Sequence, residues 1–295
     1  MQRTSFHEQI SRNKFKSIVL LIAIVIVFVV LGYFIGKIVG PDYFTIIMII
    51  SIIISVFYVW FGYYNSHKIA LASVNAKPAS ENEYRQYHHS VEGLSIASGL
   101  PKPKLYVMED NNINAFASGR DPKNAVICVT TGALKKLDKH ELEGVLSHEM
   151  SHIADYDIRF MTLTAVLVGM ISIISQIFLR SLFFSNRGRG KSNALFFLIG
   201  IVLAILAPIV VSLVQLAISR KREYTADASA VKFTRSSTGL INALKKIKKE
   251  HITLEDRQIN KAVAPLFISD PFKRFHGFFQ THPPLEKRIE ILERM

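Results

Sequence analysis

The hydrophobic residues of the chain are concentrated in four long uncharged stretches that alternate with polar blocks. The stretches are Ile18–Gly36, Tyr43–Ser66, Phe160–Leu179 and Ser192–Ser219. Each is at least as long as the roughly 18 to 20 residues that a helix needs to cross a bilayer. The pattern therefore predicts four transmembrane helices in two hairpins. Polar residues in the last two stretches leave a second interpretation open, a buried hairpin inside a soluble core.

The first stretch shares one feature with secretory signal peptides, because basic residues precede it. Its apolar core is longer than the roughly 7 to 15 residues of a signal peptide, however, and no cleavage site with small residues follows it. We therefore interpret it as a retained anchor. Cytoplasmic segments of membrane proteins are enriched in lysine and arginine, and the basic residues that place this N-terminus in the cytoplasm are Arg3, Arg12, Lys14 and Lys16.

The four predicted spans divide the chain into membrane and polar segments. We assign 1–66 to the N-terminal segment and first hairpin, 67–159 to one polar block, 160–219 to the second hairpin and 220–295 to a second polar block. Each hairpin returns the chain to its starting side, so both polar blocks are expected in the cytoplasm as one domain. The connection between the third and fourth spans disagrees with this arrangement, because it would lie outside and yet contains Arg180, Arg187, Arg189 and Lys191.

Composition agrees with a membrane protein that carries a sizeable polar domain. The 295 residues are 49% hydrophobic and 20% charged, with a formal net charge of +13, and the mean hydropathy is +0.26. We interpret the positive charge as orienting the chain and facing lipid headgroups. No interleaved basic and aromatic pattern indicates nucleic-acid binding. The single cysteine, Cys128, excludes a disulfide framework and thiolate ligation of zinc, and its apolar neighbours predict a buried strand residue.

The pentapeptide at 148–152, His-Glu-Met-Ser-His, carries the most specific chemistry in the polar blocks. Asp138 as N-cap and Glu141 three residues later predict that a helix begins before it. Histidines four residues apart project from one helix face, so both imidazoles can bind one metal ion. The glutamate between them is placed to deprotonate a zinc-bound water. The alternative is an exposed helix that carries two histidines by chance, so the motif needs a third ligand.

Glu223 is the candidate for that third ligand. A catalytic zinc normally takes three protein ligands and keeps a fourth position open. Glu223 directly follows the fourth predicted span and is therefore expected on the same side of the membrane as the histidines. Asp227, one helical turn later, could accept the outer N–H of a ligating histidine and fix its orientation. The alternative is a charged, locally paired helix at the membrane surface, residues 220–223.

Four motifs follow one another along the chain. They are Asn114–Ala117, the two-histidine helix, Arg-Glu-x-x-Ala-Asp at 222–227 and Thr281–Arg288. In this order they resemble the motifs of the HtpX-type membrane-embedded zinc endopeptidases, which are relatives of the CAAX prenyl proteases. The resemblance implies a mainly α-helical membrane protein with a small β-sheet and a zincin-like (gluzincin) catalytic domain built from the two polar blocks.

The same resemblance implies a set of residue roles and a cellular setting. One Zn²⁺ per chain would be held by His148, His152 and Glu223, with Glu149 as the general base. The active site would face the cytoplasm from a multi-pass protein of the bacterial inner membrane. Its partners would be the lipid bilayer, unfolded or misassembled membrane-protein substrates and other membrane quality-control proteases.

A small sheet is expected beside the metal. Short apolar stretches at 104–108 and 125–130 predict strands, and an edge strand there would let an extended peptide add as a further strand. In line with the resemblance, Asn114, Ala115 and Phe116 are candidates for binding the substrate main chain. The alternative for Asn114 is that its side chain serves only a local turn.

The resemblance assigns two residues near the C-terminus to the catalytic machinery. His282 would stabilise the oxyanion of a tetrahedral intermediate together with zinc, and Arg288 would support it electrostatically. The alternative is that His282 caps the terminal helix, expected at Leu285–Met295, while Arg288 is solvated on the surface of that helix.

The sequence therefore predicts a membrane-bound zinc endopeptidase that hydrolyses misfolded or damaged membrane proteins in quality control and the stress response. A CAAX-type prenyl-protein protease is an alternative, although four spans are few for an enclosed chamber. A zinc-dependent adaptor or holdase that binds without cutting is another, disfavoured by the complete set of ligands and base. A transporter is disfavoured because the third and fourth stretches contain no acidic or basic residue.

Overall fold

The computed structural model describes residues 6–165, 220–251, 266–268 and 283–295. Most of the third predicted span, all of the fourth, the basic connection between them and His282 lie outside these residues. The fold below is that of the described part of the chain.

A hairpin of two long helices opens the chain. Helix α1 (Phe6–Val39) and helix α2 (Pro41–Ser73) are both long and apolar enough to cross a membrane. Of their most apolar windows, 17% and 6% of the residues are buried, so neither is the core helix of a soluble domain. Gly40 joins them at a φ of 131°, in the region that favours glycine. The first two predicted spans are thus helices, each long and apolar enough to cross a membrane.

Helix α2 continues past the predicted span, which ends at Ser66, to Ser73. At roughly 1.5 Å per residue its length is about 50 Å, against about 30 Å for the hydrocarbon core of a bilayer. Its last turns are buried: Ala70 and Leu71 pack into an apolar cluster with Phe116 and Cys128 of the sheet. One rigid helix therefore connects the membrane hairpin to the polar part of the protein.

The sheet is small and mixed, with four strands in the order β1-β2-β4-β3. β2 and β4 run parallel, whereas β1 pairs with β2 and β3 pairs with β4 in the antiparallel sense. β3 is therefore an edge strand, as expected, and Cys128 on β4 is buried. The strands are β1 (Lys77–Pro78), β2 (Lys104–Met108), β3 (Ala115–Gly119) and β4 (Ala125–Thr130).

Helices make up most of the remaining described structure. Residues 157–165 are helical, and residues 81–83 form a turn before the helix that begins at Arg85. The terminal helix ends at Leu292, three residues before the predicted end. The other helices are α3 (Arg85–Ser98), α4 (Thr131–Lys136), α5 (Lys139–Ala154), α6 (Arg220–Thr234), α7 (Thr238–His251) and α8 (Leu285–Leu292).

Helix α5 lies at the centre of the polar part. Helices α3, α6 and α7 and strand β3 pack against it. Its apolar side chains are fully buried in the main hydrophobic cluster: Leu142, Val145, Leu146, Met150 and Ile153. Burial of each such side chain stabilises the fold by about 1.5–3 kcal/mol, so α5 is held rigidly and whatever chemistry it carries is held with it.

Helices α5 and α7 approach most closely at two glycines, which yields a test of the packing. A Cβ on Gly144 would lie 2.4 Å from the backbone nitrogen of Leu240, and one on Gly239 would lie 2.2 Å from the carbonyl oxygen of His140. Because the backbone cannot move away cheaply, Gly144→Ala should destabilise the protein by about 1–3 kcal/mol. The measurement is thermal unfolding in detergent followed by circular dichroism.

Gly93 provides the matched control. It is an exposed helical glycine on α3, and a Cβ at this position would meet no other described part of the chain within 4 Å. Gly93→Ala should therefore raise the unfolding temperature slightly, because alanine favours a helix by about 1 kcal/mol over glycine. Equal stability of the Gly144→Ala and Gly93→Ala proteins would contradict the close approach of α5 and α7.

Candidate active site

Helix α5 brings the two histidines of the pentapeptide onto one face. Its first turn is fixed by the predicted capping box, in which Asp138 Oδ1 accepts the N–H of Glu141 at 2.9 Å and Glu141 Oε2 accepts the N–H of Asp138 at 2.8 Å. One turn of helix separates His148 from His152, and their Nε2 atoms lie 3.2 Å apart. Both side chains are buried, so the alternative of an exposed helix does not hold.

Helix α6 adds Glu223 to the pair. Its Oε2 lies 3.6 Å from His148 Nε2, and its Oε1 lies 3.8 Å from His152 Nε2. One ligand atom from each of the three residues lies within 4.8 Å of the others. We refer to His148, His152 and Glu223 as the ligand cluster. Glu223 is buried, unlike a headgroup-facing residue of a surface helix.

The ligand cluster fits a zinc ion in donor type and in spacing. Two imidazole nitrogens and one carboxylate are a common protein contribution to catalytic zinc. Two such donors on one tetrahedral zinc lie about 3.3 Å apart, given bonds of about 2.0–2.1 Å. The two Nε2 atoms, 3.2 Å apart, are close to that value, and one oxygen of Glu223 lies 3.6 or 3.8 Å from each of them. These three residues could therefore hold the metal.

Asp227 lies behind His148, at its Nδ1 atom, and Arg288 lies between Asp227 and Glu223, with its Nη1 atom 3.7 Å from Glu223 Oε2. Asp227 Oδ1 is 2.9 Å from His148 Nδ1, which is the placement that its predicted role requires. Arg288 donates to both carboxylate oxygens of Asp227, at 2.9 and 2.7 Å, and to the carbonyl oxygen of Ile268 at 3.2 Å. Arg288 is fully buried, so it is not the solvated surface residue of the alternative. Its part in stabilising an oxyanion stays a prediction.

Asp157 lies against His152 as Asp227 lies against His148. The sequence alone did not identify Asp157. Its Oδ2 lies 3.1 Å from His152 Nδ1, and its Oδ1 lies 3.1 Å from Arg222 Nε. Tyr156, at a left-handed φ of 58°, turns the chain after α5 and directs Asp157 back to the helix. The only local signal is a carboxylate five residues after the second histidine.

Burial and the neighbouring charges together raise the pKa values of His148, His152 and Glu149. Burial and the charge of Arg288 lower the pKa of His148, but hydrogen bonds with Asp227 and Glu223 outweigh them and raise it to about 9. Burial lowers the pKa of His152, but its bond to Asp157 and the charges of Glu223 and Asp157 together outweigh burial and raise this pKa. Burial raises the pKa of the Glu149 carboxyl. Protons and a cation therefore compete for the two histidines.

Glu149 connects α5 to the edge strand. Its Oε2 accepts the N–H of Ala117 at 2.7 Å, which holds the carboxylate beside the ligand cluster and against β3. On the same edge, the Ala115 carbonyl oxygen accepts the N–H of Ile268 at 2.9 Å. The outward-facing main chain of β3 is thus already engaged by a base and by another part of the chain.

The three residues proposed for substrate binding are all buried, with different surroundings. Asn114 Oδ1 accepts the N–H of Ala115 at 3.0 Å, a local bond of the kind that the alternative describes. The Phe116 ring points away from the ligand cluster and packs edge-on against Phe267, with centroids 5.2 Å apart. The main chain of this strand, rather than its side chains, is therefore what can meet an extended peptide. His282 lies outside the described residues, and its role stays a prediction.

Known proteins resemble this chain over most of its length. Residues 81–295 match the model of Peptidase family M48. The chain is 40% identical over 305 residues to a Protease HtpX homolog of Thermoanaerobacter pseudethanolicus, covering 100% of this chain and 99% of the relative. It is 46% identical over 246 residues to a Protease HtpX homolog of Caldanaerobacter subterraneus, covering 81% and 82%. A crystal structure of S. mikatae Ste24p has a TM-score of 0.49 and 19% identity, and the match covers 97% of this chain and 66% of that one.

The raised pKa of His148 predicts a pH dependence of metal binding. Zinc binds neutral imidazole, so it must displace the proton that His148 holds below a pKa of about 9. The apparent zinc affinity should therefore rise between pH 6 and pH 8, by about tenfold per pH unit for each proton displaced. Competition with a chromogenic chelator of known pH dependence measures it. A zinc affinity that stays constant over this range would show that His148 carries no such proton.

Proposed function

The chain belongs to peptidase family M48 and is a membrane protease, and on this premise we propose a zinc endopeptidase of the bacterial inner membrane that cuts unfolded or misassembled membrane proteins from the cytoplasmic side. The family confirms the resemblance of the four sequence motifs. The proposal adds the residue roles, the substrate class and the orientation in the membrane.

One observation carries the proposal. Donor atoms of His148, His152 and Glu223 lie within 4.8 Å of one another, although Glu223 follows His152 by 71 positions along the chain. Glu149 is held beside them by Ala117. Three metal donors and a nearby buried carboxylate are what metal-assisted hydrolysis of a peptide bond requires.

Glu149 moves the proton in the proposed mechanism. When bound, zinc supplies Lewis-acid activation of the attacking water and of the scissile carbonyl. Glu149 accepts the proton of the water and passes it to the leaving amine. The bond from Ala117 N–H holds Oε2, which leaves Oε1 for the proton. Burial raises the pKa of Glu149. A carboxyl group with a raised pKa is better suited, near neutral pH, both to accept the proton of the water and to donate it to the leaving amine.

Two buried carboxylates orient the histidines for this chemistry. Asp227 and Asp157 each lie against the Nδ1 atom of one histidine. An N–H donated from Nδ1 leaves the lone pair on Nε2, which is the atom that faces the ligand cluster. Arg288 in turn holds Asp227 through both oxygens.

The edge strand β3 is the proposed site for the substrate backbone. An extended peptide laid along it would pair with the Ala115 carbonyl oxygen, which accepts the N–H of Ile268 in this structure, while the Ala117 N–H keeps its bond to Glu149. Main-chain pairing is indifferent to most side chains. It therefore supports cleavage of extended, unfolded segments with little sequence preference.

Contacts between α2 and the catalytic part of the chain support membrane proteins as substrates. Arg120, next to the end of β3, lies over the Tyr64 ring of α2 at 4.7 Å, and Arg159 lies over the Tyr63 ring at 5.8 Å. Tyrosine and cationic side chains are enriched where a membrane helix leaves the bilayer. These contacts support an edge strand that would open near the lipid surface.

The other functions drawn from the sequence are not favoured. A holdase that does not cut has no need of a buried glutamate held beside the ligand cluster. The curated relatives that cover the chain bear the name Protease HtpX homolog rather than that of a prenyl protease.

Two substitutions separate the roles of base and ligand. Glu149→Gln keeps the shape of the side chain but cannot accept a proton, so casein cleavage should fall at least about 100-fold while zinc content stays near one ion per chain. Glu223→Ala removes a donor, so zinc content and cleavage should fall together. The measurements are zinc by atomic emission and peptide release in detergent. Wild-type cleavage by Glu149→Gln protein would refute the assignment.

Orientation in the membrane is tested with two added cysteines. Asp42→Cys lies at the turn between α1 and α2, and Ile96→Cys lies on the exposed face of α3. With the active site in the cytoplasm, a membrane-impermeant maleimide should label position 42 in intact cells and position 96 only after permeabilisation. Wild-type protein, whose Cys128 is buried, supplies the unlabelled control. The reverse pattern would place the active site outside.

A further inference from the structure

The first membrane helix reaches the metal site through one polar residue. Asn13 lies on α1, whose neighbouring residues Arg12 and Phe15 are exposed, yet Asn13 itself is 5% exposed. Its side-chain nitrogen donates to the carbonyl oxygen of Asp155 at 3.0 Å and to Asp157 Oδ1 at 2.6 Å. A single amide thus bridges the anchor and a segment more than 140 residues away.

The carboxylate that Asn13 contacts is the one that orients His152. Asp157 Oδ1 accepts the hydrogen bond of the Asn13 amide and pairs with Arg222 Nε. The other carboxylate oxygen, Oδ2, lies 3.1 Å from His152 Nδ1. A carboxylate held at one oxygen cannot rotate freely, so its second oxygen keeps a fixed position against the imidazole. The orientation of the His152 ring therefore depends on what holds Asp157.

An amide suits this position better than a charged or an apolar side chain. Both hydrogens of the Asn13 amide nitrogen are used, one by Asp155 and one by Asp157, which fixes the relative position of the two acceptors. The amide does so without adding charge to a site that already contains Arg222. Leucine has nearly the same volume but no donor, and aspartate would set a negative charge against Asp157.

We propose that Asn13 is a positioning residue of the metal site, which acts through Asp157 to hold His152 in the orientation that binds zinc. The anchor helix is then part of the catalytic assembly rather than only a membrane attachment. This inference rests on the proposed zinc site, because it concerns the affinity of that site for its metal.

Ser17 is the matched control for Asn13. It lies one turn later on the same buried face of α1, is 1% exposed, and its hydroxyl donates to the Asn13 carbonyl oxygen within the helix. Ser17→Ala removes a buried polar group from the same helix without removing a hydrogen bond to Asp157. It should leave zinc binding unchanged.

The experiment measures zinc dissociation constants of the full-length protein in detergent by chelator competition. Asn13→Leu should weaken zinc binding about tenfold, at the lower end of the range for partners of metal ligands. It should have no further effect in the Asp157→Ala background, because the contact through which it acts is gone. The visible absorption of the Co²⁺-loaded protein should change with Asn13→Leu and not with Ser17→Ala, since this spectrum reports ligand geometry rather than overall stability.

The outcomes separate this inference from the proposed function. Wild-type protein that binds no zinc overturns both. Wild-type protein that binds zinc, together with Asn13→Leu protein of equal affinity, overturns the positioning role alone. So does an equal loss on Asn13→Leu whether or not Asp157 is present. If Asn13→Leu does not fold, Asn13→Ser, which leaves room for water but shortens the donor, carries the same test with the same outcomes.

Discussion

Compensation of buried charge is the constraint on which the rest of the structure depends. Around the histidines, buried carboxylates outnumber the guanidinium groups in the described part of the chain. Charge in apolar surroundings is kept only when it is paired, so the remaining negative charge is compensated by a divalent cation, by protons on the imidazoles or by protons on the carboxylates themselves. The raised pKa of His148 is the second of these. The groups concerned are Glu149, Asp157, Glu223, Asp227, Arg222 and Arg288.

This constraint also explains why the site is assembled from distant parts of the chain. The metal ligands come from α5 and α6, the cation that holds Asp227 comes from α8, and the amide that holds Asp157 comes from α1. Each element contributes a group whose burial is tolerable only when another element is already in place. Packing of the domain and completion of the metal site are therefore one cooperative event, and the membrane hairpin takes part in it.

How much of this could be read from the sequence depends on how local the interaction is. Histidine spacing, the Asp138 capping box and the spacing of Glu223 and Asp227 are decided within one or two helical turns, and each appears as expected. Asp157 follows the end of α5, and its direction is decided by the left-handed Tyr156, which no periodicity signals. The contact of Asn13, across 144 residues, is invisible to any pattern along the chain. The mixed strand order was equally out of reach, because parallel pairing of β2 and β4 is a tertiary outcome.

The hydrogen bond between Ile268 and Ala115 has a consequence for how such a protease would choose its targets. A substrate peptide would compete for the Ala115 carbonyl oxygen with Ile268, which belongs to the same chain and therefore stays at a high local concentration. Segments that unfold only briefly would rarely displace Ile268, whereas segments that stay extended for longer would displace it more often. Such selectivity would depend on how long a segment stays unfolded rather than on its amino-acid sequence. It would leave folded proteins in the same bilayer intact.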